Sequence, residues 1–438
     1  MPDSGAYSKT KPPQGGGMPR RIFVTAGVAA AAAGRAVAAL RPADRGQGGH
    51  DAFFLSLSTA LRNAGIAHPV MVIDRARLTA NIATVKQAIA PTAHATRVVA
   101  KSLPSPKLLD AIMDGVGTPR AMVFNGATLE QVGALRPAAD LLLGKPLPAV
   151  EVAVFVKRHA TDENPAAHPQ FLADSALRVQ QLIDIARANQ RPIRVNFEID
   201  VGLHRGGFAT DRDLADAVAL AQSEKLIQPS GLMGYDPHVV KVPFRAQALA
   251  AVHRRYEASR AVLQERLQAD PRTLTLNTAG SPTYRLHLDD TNANELAIGS
   301  AFVKPGDFDL PTLATHVPAA FIATPVIKEA GQTRIPGLEF LAPLLNFYDR
   351  NSARAFFIYG GHWLAKPASP VGLEYSAIFG RSSNQEMLTG STNVQLHQDE
   401  YVFLRPDQSE AIFLQFGDLV VYENGQITDR WPTFPISA

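Results

Sequence analysis

Lys101 follows the compact apolar run Val98-Val99-Ala100. A lysine delivered by a buried segment loses part of its hydration, which lowers its pKa and frees the amine as a nucleophile toward carbonyl compounds. The same position also suits a lysine that only reaches back to solvent. Three further stretches carry chemistry-bearing residues after apolar runs. Glu198-Ile199-Asp200-Val201-Gly202-Leu203-His204-Arg205-Gly206-Gly207 sets charged groups between glycines. Tyr235-Asp236-Pro237-His238 follows Gly231–Gly234. In Asn277-Thr278-Ala279-Gly280-Ser281-Pro282, Ser281 can cap a short helix whose first position is Pro282. A helix start behind a glycine offers free N–H groups to an anion such as a phosphate. Gly299-Ser300 is a second small-residue turn able to bring backbone N–H groups close. Each turn alone reads as an ordinary turn or cap; together they point to one anion pocket.

These groups need a scaffold that brings them to one mouth. An amphipathic helix over 51–66 closes at Gly65, and Pro69–Ile73 is an apolar strand. A helix over Arg75–Ala90 stops before Pro91. Eight more strand candidates follow: Arg97–Ala100, Ala121–Phe124, Asp140–Leu143, Gln170–Ala173, Ile193–Ile199, Gly231–Tyr235, Thr273–Leu276 and Glu295–Ile298. Helical patterns such as Ala176–Asn189 and Phe244–Gln268 separate them, and Ser281–Leu286 is at most a short helix. Strict alternation predicts an α/β fold with a parallel (β/α)8 barrel, a doubly wound open sheet being the alternative. In a barrel, function gathers at the C-terminal strand ends, where Lys101, Arg205, Tyr235, Ser281 and Ser300 all fall. A phosphate site after strands seven and eight is a recurrent barrel feature.

The rhythm changes after about residue 318. Ala320–Ile327, Arg354–Ile358, Glu400–Leu404, Ala411–Leu414, Leu419–Tyr422 and Gln426–Arg430 read as strands, with a hairpin signal at Glu423-Asn424-Gly425. The expected division is a tail over 1–45, the barrel over 46–318 and a smaller all-β domain over 319–438.

The net charge of +3 is uneven. Residues 1–50 hold seven Lys/Arg against two acids, leaving 36 against 38 in the rest. The body is therefore not basic, which argues against a nucleic-acid surface. The absence of cysteine excludes disulfides, thiolate nucleophiles and Cys-ligated zinc. Arg20-Arg21, the Ala-rich run to Gly34 and the small residues Ala36-Val37-Ala38 form a twin-arginine-type leader, with Met18 as an alternative start. Export to the periplasm is the expectation, with a cytoplasmic location as the alternative. The apolar run is too short for a stable membrane span after processing.

Pro69-Val70-Met71-Val72-Ile73-Asp74, Val99-Ala100-Lys101, Glu198-Ile199-Asp200-Val201-Gly202 with Arg205, Gly234-Tyr235 and Gly299-Ser300 occur in an order that resembles one group of pyridoxal 5′-phosphate enzymes. That group is the alanine racemase-like fold, in the branch of D-threonine aldolase and D-serine dehydratase. The resemblance runs from about residue 50 to the C-terminus. It implies that Lys101 is the Schiff-base lysine. It places Gly280, Ser281, Gly299 and Ser300 at the cofactor phosphate, Tyr235 in the cofactor pocket and Arg205 beside cofactor or substrate. It also implies a small amino-acid substrate and a head-to-tail homodimer.

One departure bears on the reaction. The aldolase and dehydratase members carry Pro-Asn-His-x-Cys, whose His and Cys bind a divalent metal. Here the stretch is Pro406-Asp407-Gln408-Ser409-Glu410. Gln is a poor zinc ligand, and a lone carboxylate favours harder ions. No metal ligand is assigned on this basis. Glu410 is read as a catalytic candidate: a general base, a site for Mg²⁺ or Mn²⁺, or an ion-pair partner. The expected activity is a lyase acting on a D-β-hydroxy amino acid, by aldol cleavage or dehydration. A racemase is the alternative, with Tyr348, Tyr359, Tyr375 or Tyr401 as second base. A non-catalytic cofactor-binding protein is the third reading, disfavoured by the full second domain. His362, His397 and the polar loop around Arg381–Glu386 are the remaining polar candidates.

Overall fold

The computed structural model describes residues 41–435. The expected leader lies outside the described residues. The sequence reading counts 41–45 as tail, but these residues pack on the second unit. The Arg45 N–H donates to Asn351 Oδ1 at 2.9 Å, and Asn351 Nδ2 donates to the Ala43 carbonyl at 2.9 Å.

Helix α1 (Ala52–Asn63) starts behind Asp51, whose side chain accepts from the Phe54 N–H. Strand β1 (Val70–Asp74) is buried along its length. Its last residue caps α2 (Arg75–Ile89) by accepting from the Arg77 N–H. Strand and helix then alternate through β2 (Ala95–Val99), α3 (Pro106–Val116), β3 (Arg120–Val123), α4 (Gly126–Leu135) and β4 (Asp140–Leu143). They continue with α5 (Ala149–Arg158), β5 (Gln170–Ala173), α6 (Ala176–Asn189), β6 (Ile193–Glu198) and α7 (Asp211–Gln222). The series ends with β7 (Ile227–Met233), α8 (Arg245–Leu267), β8 (Thr275–Thr278) and β9 (Glu295–Ile298). Asn125, Ser175 and Thr210 cap α4, α6 and α7, each accepting the N–H three residues on. Strands β2 to β9 close into a parallel barrel, with Val98 of β2 opposite Ile298 of β9. The expected (β/α)8 barrel is therefore present.

Several strand boundaries differ from expectation. Strand β7 begins at Ile227, four residues before the expected Gly231, and runs through Pro229 to Met233. The β6–β7 register shifts beside Val195 and Asn196. Gly231 is needed there, because a Cβ would lie 1.8 Å from the Thr275 carbonyl oxygen. Strand β8 begins two residues later than expected and delivers Asn277 and Thr278 to the barrel.

Inside the barrel, a polar layer sits below the mouth. Arg97 is fully buried and donates to Glu295 at 2.5 and 2.9 Å and to Asp140 at 2.6 Å. Asn277 Nδ2 donates to Glu295 at 3.0 Å, and Gln170 Nε2 donates to Thr275 Oγ1 at 2.8 Å. Burying charge is costly unless it is paired and hydrogen-bonded, and this layer meets that condition. Two residues further along each strand, the period of two brings Val99, Met122, Met233 and Ala297 to the cleft floor.

The second unit contains β10 (Ala320–Ala330), α9 (Ala342–Tyr348), β11 (Arg354–Tyr359), β12 (Ala365–Ser369), β13 (Glu374–Tyr375) and β14 (Gln385–Gly390). It ends with β15 (Tyr401–Pro406), α10 (Glu410–Phe413), β16 (Leu419–Glu423) and β17 (Gln426–Trp431). Nine strands form its mixed sheet, in the order β13-β14-β11-β10-β1-β16-β17, with β15 pairing both β10 and β12. Strand β1 lies antiparallel to β10 and parallel to β16. Helix α1 packs on the same sheet through Phe54, Leu57 and Leu61 against Phe321 and Phe403. Residues before the barrel thus complete the second unit, although the sequence reading placed 46–318 in the barrel. The unit is also not purely β. The stretch expected as a strand at Ala411–Leu414 is helix α10, which buries Ile412 and Phe413. A run of four residues is too short for periodicity to tell the two states apart.

Candidate active site

The cleft opens at the C-terminal ends of the barrel strands, with about 560 Å³ of space in and directly above it. Lys101 stands at its rim in a 3-10 turn (Ala100–Ser102) that follows β2. Its Nζ lies 3.1 Å from Glu410 Oε1 and 4.9 Å from the centre of the Phe124 ring. Both partners of the ion pair remain about two-fifths exposed. Glu410 arrives as the first residue of α10, so a segment of the second unit reaches over the barrel mouth.

Ser281 does not cap a helix as expected. The Thr283 and Tyr284 N–H groups both bond back to the Gly280 carbonyl, forming a turn, and the 3-10 helix begins only at Tyr284. Instead, Ser281 Oγ accepts the N–H of Gly299 at 2.9 Å and of Ala301 at 3.1 Å. The two small-residue turns are thereby tied together across β8 and β9. Because Ser281 Oγ accepts twice, its own proton is free for a ligand. Ser300 Oγ donates to Ser102 Oγ at 3.0 Å, and Ser102 Oγ lies 3.5 Å from Glu410 Oε1. A hydroxyl chain therefore runs from the second turn to the Lys101–Glu410 pair. Gly299 must be glycine, since a Cβ would come within 2.9 Å of Val99 Cβ and 3.0 Å of Ser102 Cβ. At Gly280 a Cβ would lie 2.5 Å from Tyr235 Cε2. That glycine lets the Tyr235 ring approach the turn closely.

Arg205 reaches the cleft from the loop after β6. Asp200 folds this loop by accepting the N–H of Gly202 and of His204 at 2.9 and 3.0 Å. Gly207 (φ +90°) takes a close approach to the Glu198 backbone that a Cβ would block. The Arg205 guanidinium lies 4.8 Å from the Tyr235 ring centre and 3.6 Å from Glu198 Oε1. Burial raises the Glu198 carboxyl, with Arg205 pulling the other way. Burial likewise raises the Tyr235 phenol.

All the expected site residues, Lys101, Arg205, Tyr235, Gly280, Ser281, Gly299, Ser300 and Glu410, line this one cleft. Gln408 does not join them. Its side chain is exposed and donates to Asp307 at 3.2 Å. The four tyrosines considered as second bases do not line the cleft of this chain. Tyr401 donates to the Ile66 carbonyl and Tyr375 to the Ala365 carbonyl. His362 and His397 are also away from it; the His362 N–H donates to Glu386 Oε2, and His397 faces Glu329. Ser102, Phe124 and Phe308 line the cleft without having been singled out. Phe124 ends an expected strand, so the strand-end rule could have found it. Ser102 carries no signal beyond following Lys101.

Residues 73–305 match the family model described as alanine racemase, N-terminal domain. The chain belongs to that family. No curated sequence relative matches it. Among solved structures, the alanine racemase-family chain is similar to D-threonine aldolase from Filomicrobium marinum, with a TM-score of 0.68 at 16% identity. That match covers 84% of this chain and 96% of the other. D-threo-3-hydroxyaspartate dehydratase from Delftia sp. HT23 aligns at TM-score 0.64 and 16% identity, over 83% of this chain and 97% of the other. Alanine racemase from Bacillus anthracis aligns at TM-score 0.61 and 15% identity, over 84% and 98%. At these identities the neighbours establish the alanine racemase-like fold.

This family's fold is that of pyridoxal-phosphate enzymes, and the residues present fit that group. An amine stands at the rim. Two linked turns offer a free hydroxyl proton, and apolar side chains line the same cleft. Among the described residues, no helix is long and apolar enough to cross a membrane.

Proposed function

We propose that the chain is a pyridoxal 5′-phosphate-dependent lyase acting at the α-carbon of a D-β-hydroxy amino acid, by aldol cleavage or dehydration. The observation that carries this reading is a carboxylate in the cleft, Glu410 Oε1, 3.1 Å from Lys101 Nζ. When bound, the cofactor supplies an electron sink for negative charge developing at the substrate α-carbon. Lys101 Nζ would hold it covalently, with Ser281 and Ser300 at its phosphate and Tyr235 along its ring.

The chain's own groups then have distinct tasks. Lys101 Nζ, when not joined to the cofactor, would take the α-proton in dehydration and, as the ammonium, would deliver a proton to the α-carbon after aldol cleavage. The Glu410 carboxylate is an acceptor for the β-hydroxyl proton, the transfer that opens the Cα–Cβ bond in aldol cleavage. In dehydration the proton taken from the α-carbon would pass from Lys101 to Glu410, 3.1 Å away, and from there to the departing hydroxyl. Ser102 steadies Glu410 through its hydroxyl. Arg205, at the rim over Tyr235, is placed to meet the substrate carboxylate as a charge-assisted donor. A hard divalent ion such as Mn²⁺ at Glu410 is the metal-assisted version of the same reading.

The test is to mix purified protein and cofactor with D-threonine, D-phenylserine, D-serine and D-threo-3-hydroxyaspartate, with and without Mn²⁺. Aldehyde plus glycine, or a keto acid, is expected. None of these under any condition would contradict the lyase. Exchange of the α-proton in heavy water with inversion would instead assign a racemase. Export by the leader and assembly into a homodimer are part of the proposal. The dimer reading is supported by Phe340, Leu344, Phe347, Ile378 and Phe379, all exposed on the second unit.

A further inference from the structure

Away from the cleft, three side chains from α8 and the β8–β9 connection converge. His253 Nε2 lies 3.3 Å from His287 Nδ1. Asp290 Oδ2 lies 3.6 Å from His287 Nδ1 and 3.8 Å from His253 Nε2. Among the described residues this is the one group of three or more such side chains whose ligand atoms lie within 4.8 Å of one another. We propose that His253, His287 and Asp290 form a site for a divalent cation of the zinc class, distinct from the cofactor cleft.

Three observations carry the assignment. The first is an orphaned acceptor. The Asp290 side chain is only 3% exposed, and its Oδ2 points into the cluster, with the two imidazole nitrogens at 3.6 and 3.8 Å, beyond hydrogen-bond distance. Its Oδ1 is already committed, accepting from the Asn292 N–H at 2.9 Å and Asn292 Nδ2 at 3.0 Å. A buried oxygen of this kind is costly unless something positive meets it.

The second is the spacing. Zinc bonds of about 2.0–2.1 Å in a tetrahedron set neighbouring ligand atoms about 3.3–3.4 Å apart. Bonds of about 2.0–2.1 Å in an octahedron, as magnesium demands, would set them about 2.8–3.0 Å apart. The observed 3.3, 3.6 and 3.8 Å lie at or somewhat above the tetrahedral spacing and well above the octahedral one. Two imidazoles and one carboxylate are also a zinc-type ligand set. His253 keeps 30% exposure, and water would supply the fourth ligand.

The third is the outer support. His287 Nε2 lies 2.7 Å from Asp236 Oδ2, and both side chains are fully buried. The carboxylate holds the proton on Nε2 and turns Nδ1 toward the other two ligands, the arrangement that supports a metal-bound histidine. Asp236 Oδ1 accepts in turn from Thr283 Oγ1 at 2.6 Å, and Thr283 Oγ1 accepts the Gly280 N–H at 3.2 Å. The site thus braces the Gly280–Ser281 turn from behind. That this turn holds a phosphate rests on the proposed function; the metal site does not.

The test is a Co²⁺ titration of the untagged full-length protein after chelator treatment, read by the visible d–d bands of tetrahedral cobalt. One Co²⁺ per chain is expected, displaced by Zn²⁺, with Zn²⁺ also raising the Tm. His253→Gln, at a partly exposed helix position, should lose the bands and the Tm shift while keeping the helical circular dichroism. Asp236→Asn should weaken Co²⁺ binding by about 10–100-fold. Glu410→Gln should bind Co²⁺ as the wild type does. No saturable bands, or bands unchanged in His253→Gln, would overturn the site. The readout needs no pyridoxal phosphate, so failure of the cofactor reading leaves it intact.

Discussion

At the scale of single residues, the unusual choice is Glu410. A carboxylate stands where relatives of the aldolase and dehydratase branch were expected to present a soft metal ligand, and it faces Lys101 at 3.1 Å. Glu410→Gln preserves volume and removes both charge and basicity. If Glu410 moves a substrate proton, kcat should fall by about 10²–10⁴-fold with the cofactor absorbance unchanged. If it only pairs with Lys101, the variant should bind cofactor differently and turn over at a comparable rate. Stopped-flow absorbance beside steady-state kinetics separates the two. The residues legible in the sequence were those ending apolar strands or sitting between glycines. Ser102 was not legible, because its role comes from Ser300 and Glu410, which lie about 200 and 300 positions away.

At the scale of elements, the barrel was legible because alternation repeats along the chain. Two elements were misread, each for its own reason. Strand β1 looks like any buried strand, and only its partners β10 and β16 show that it belongs to the second sheet. Helix α10 is too short to display a period. The polar layer formed by Arg97, Asp140 and Glu295 could not be foreseen from one inward-facing arginine. It makes a stability prediction. Arg97→Met leaves two carboxylates without their buried cation and should cost about 3–5 kcal/mol, measured by urea unfolding.

The same layer sets an acid limit. Burial alone would raise the Asp140 carboxyl, but the Arg97 and Arg194 guanidiniums hold it well below the usual carboxylate range. The folded pKa is thus below the unfolded one. Its contribution is present above about pH 4 and is lost as pH falls toward the folded value. The wild-type urea midpoint should fall between about pH 5 and about pH 3, and the Arg97→Met midpoint should fall less over that window.

At the scale of the whole molecule, helix α10 of the second unit reaches over the mouth of a parallel barrel, and that unit's sheet joins β1 from before the barrel to strands after it. That arrangement explains why Glu410 and Lys101, far apart in sequence, meet over one cleft. Among the described residues, Phe340, Leu344, Ile378 and Phe379 of the second unit stay exposed, which supports the proposed dimer. Sedimentation of the wild type should show twice the chain mass at micromolar concentration, and Phe347→Glu should shift it toward the monomer. A wild type that stays monomeric at every concentration would contradict the dimer.

The central claim is that Lys101 carries the cofactor. Its direct test is reductive trapping: incubate the protein with pyridoxal 5′-phosphate, reduce with borohydride, and map the modified peptide by mass spectrometry. The expected result is one phosphopyridoxyl group per chain on Lys101, absent from Lys101→Ala. Label on another lysine, or no stoichiometric label, would contradict it.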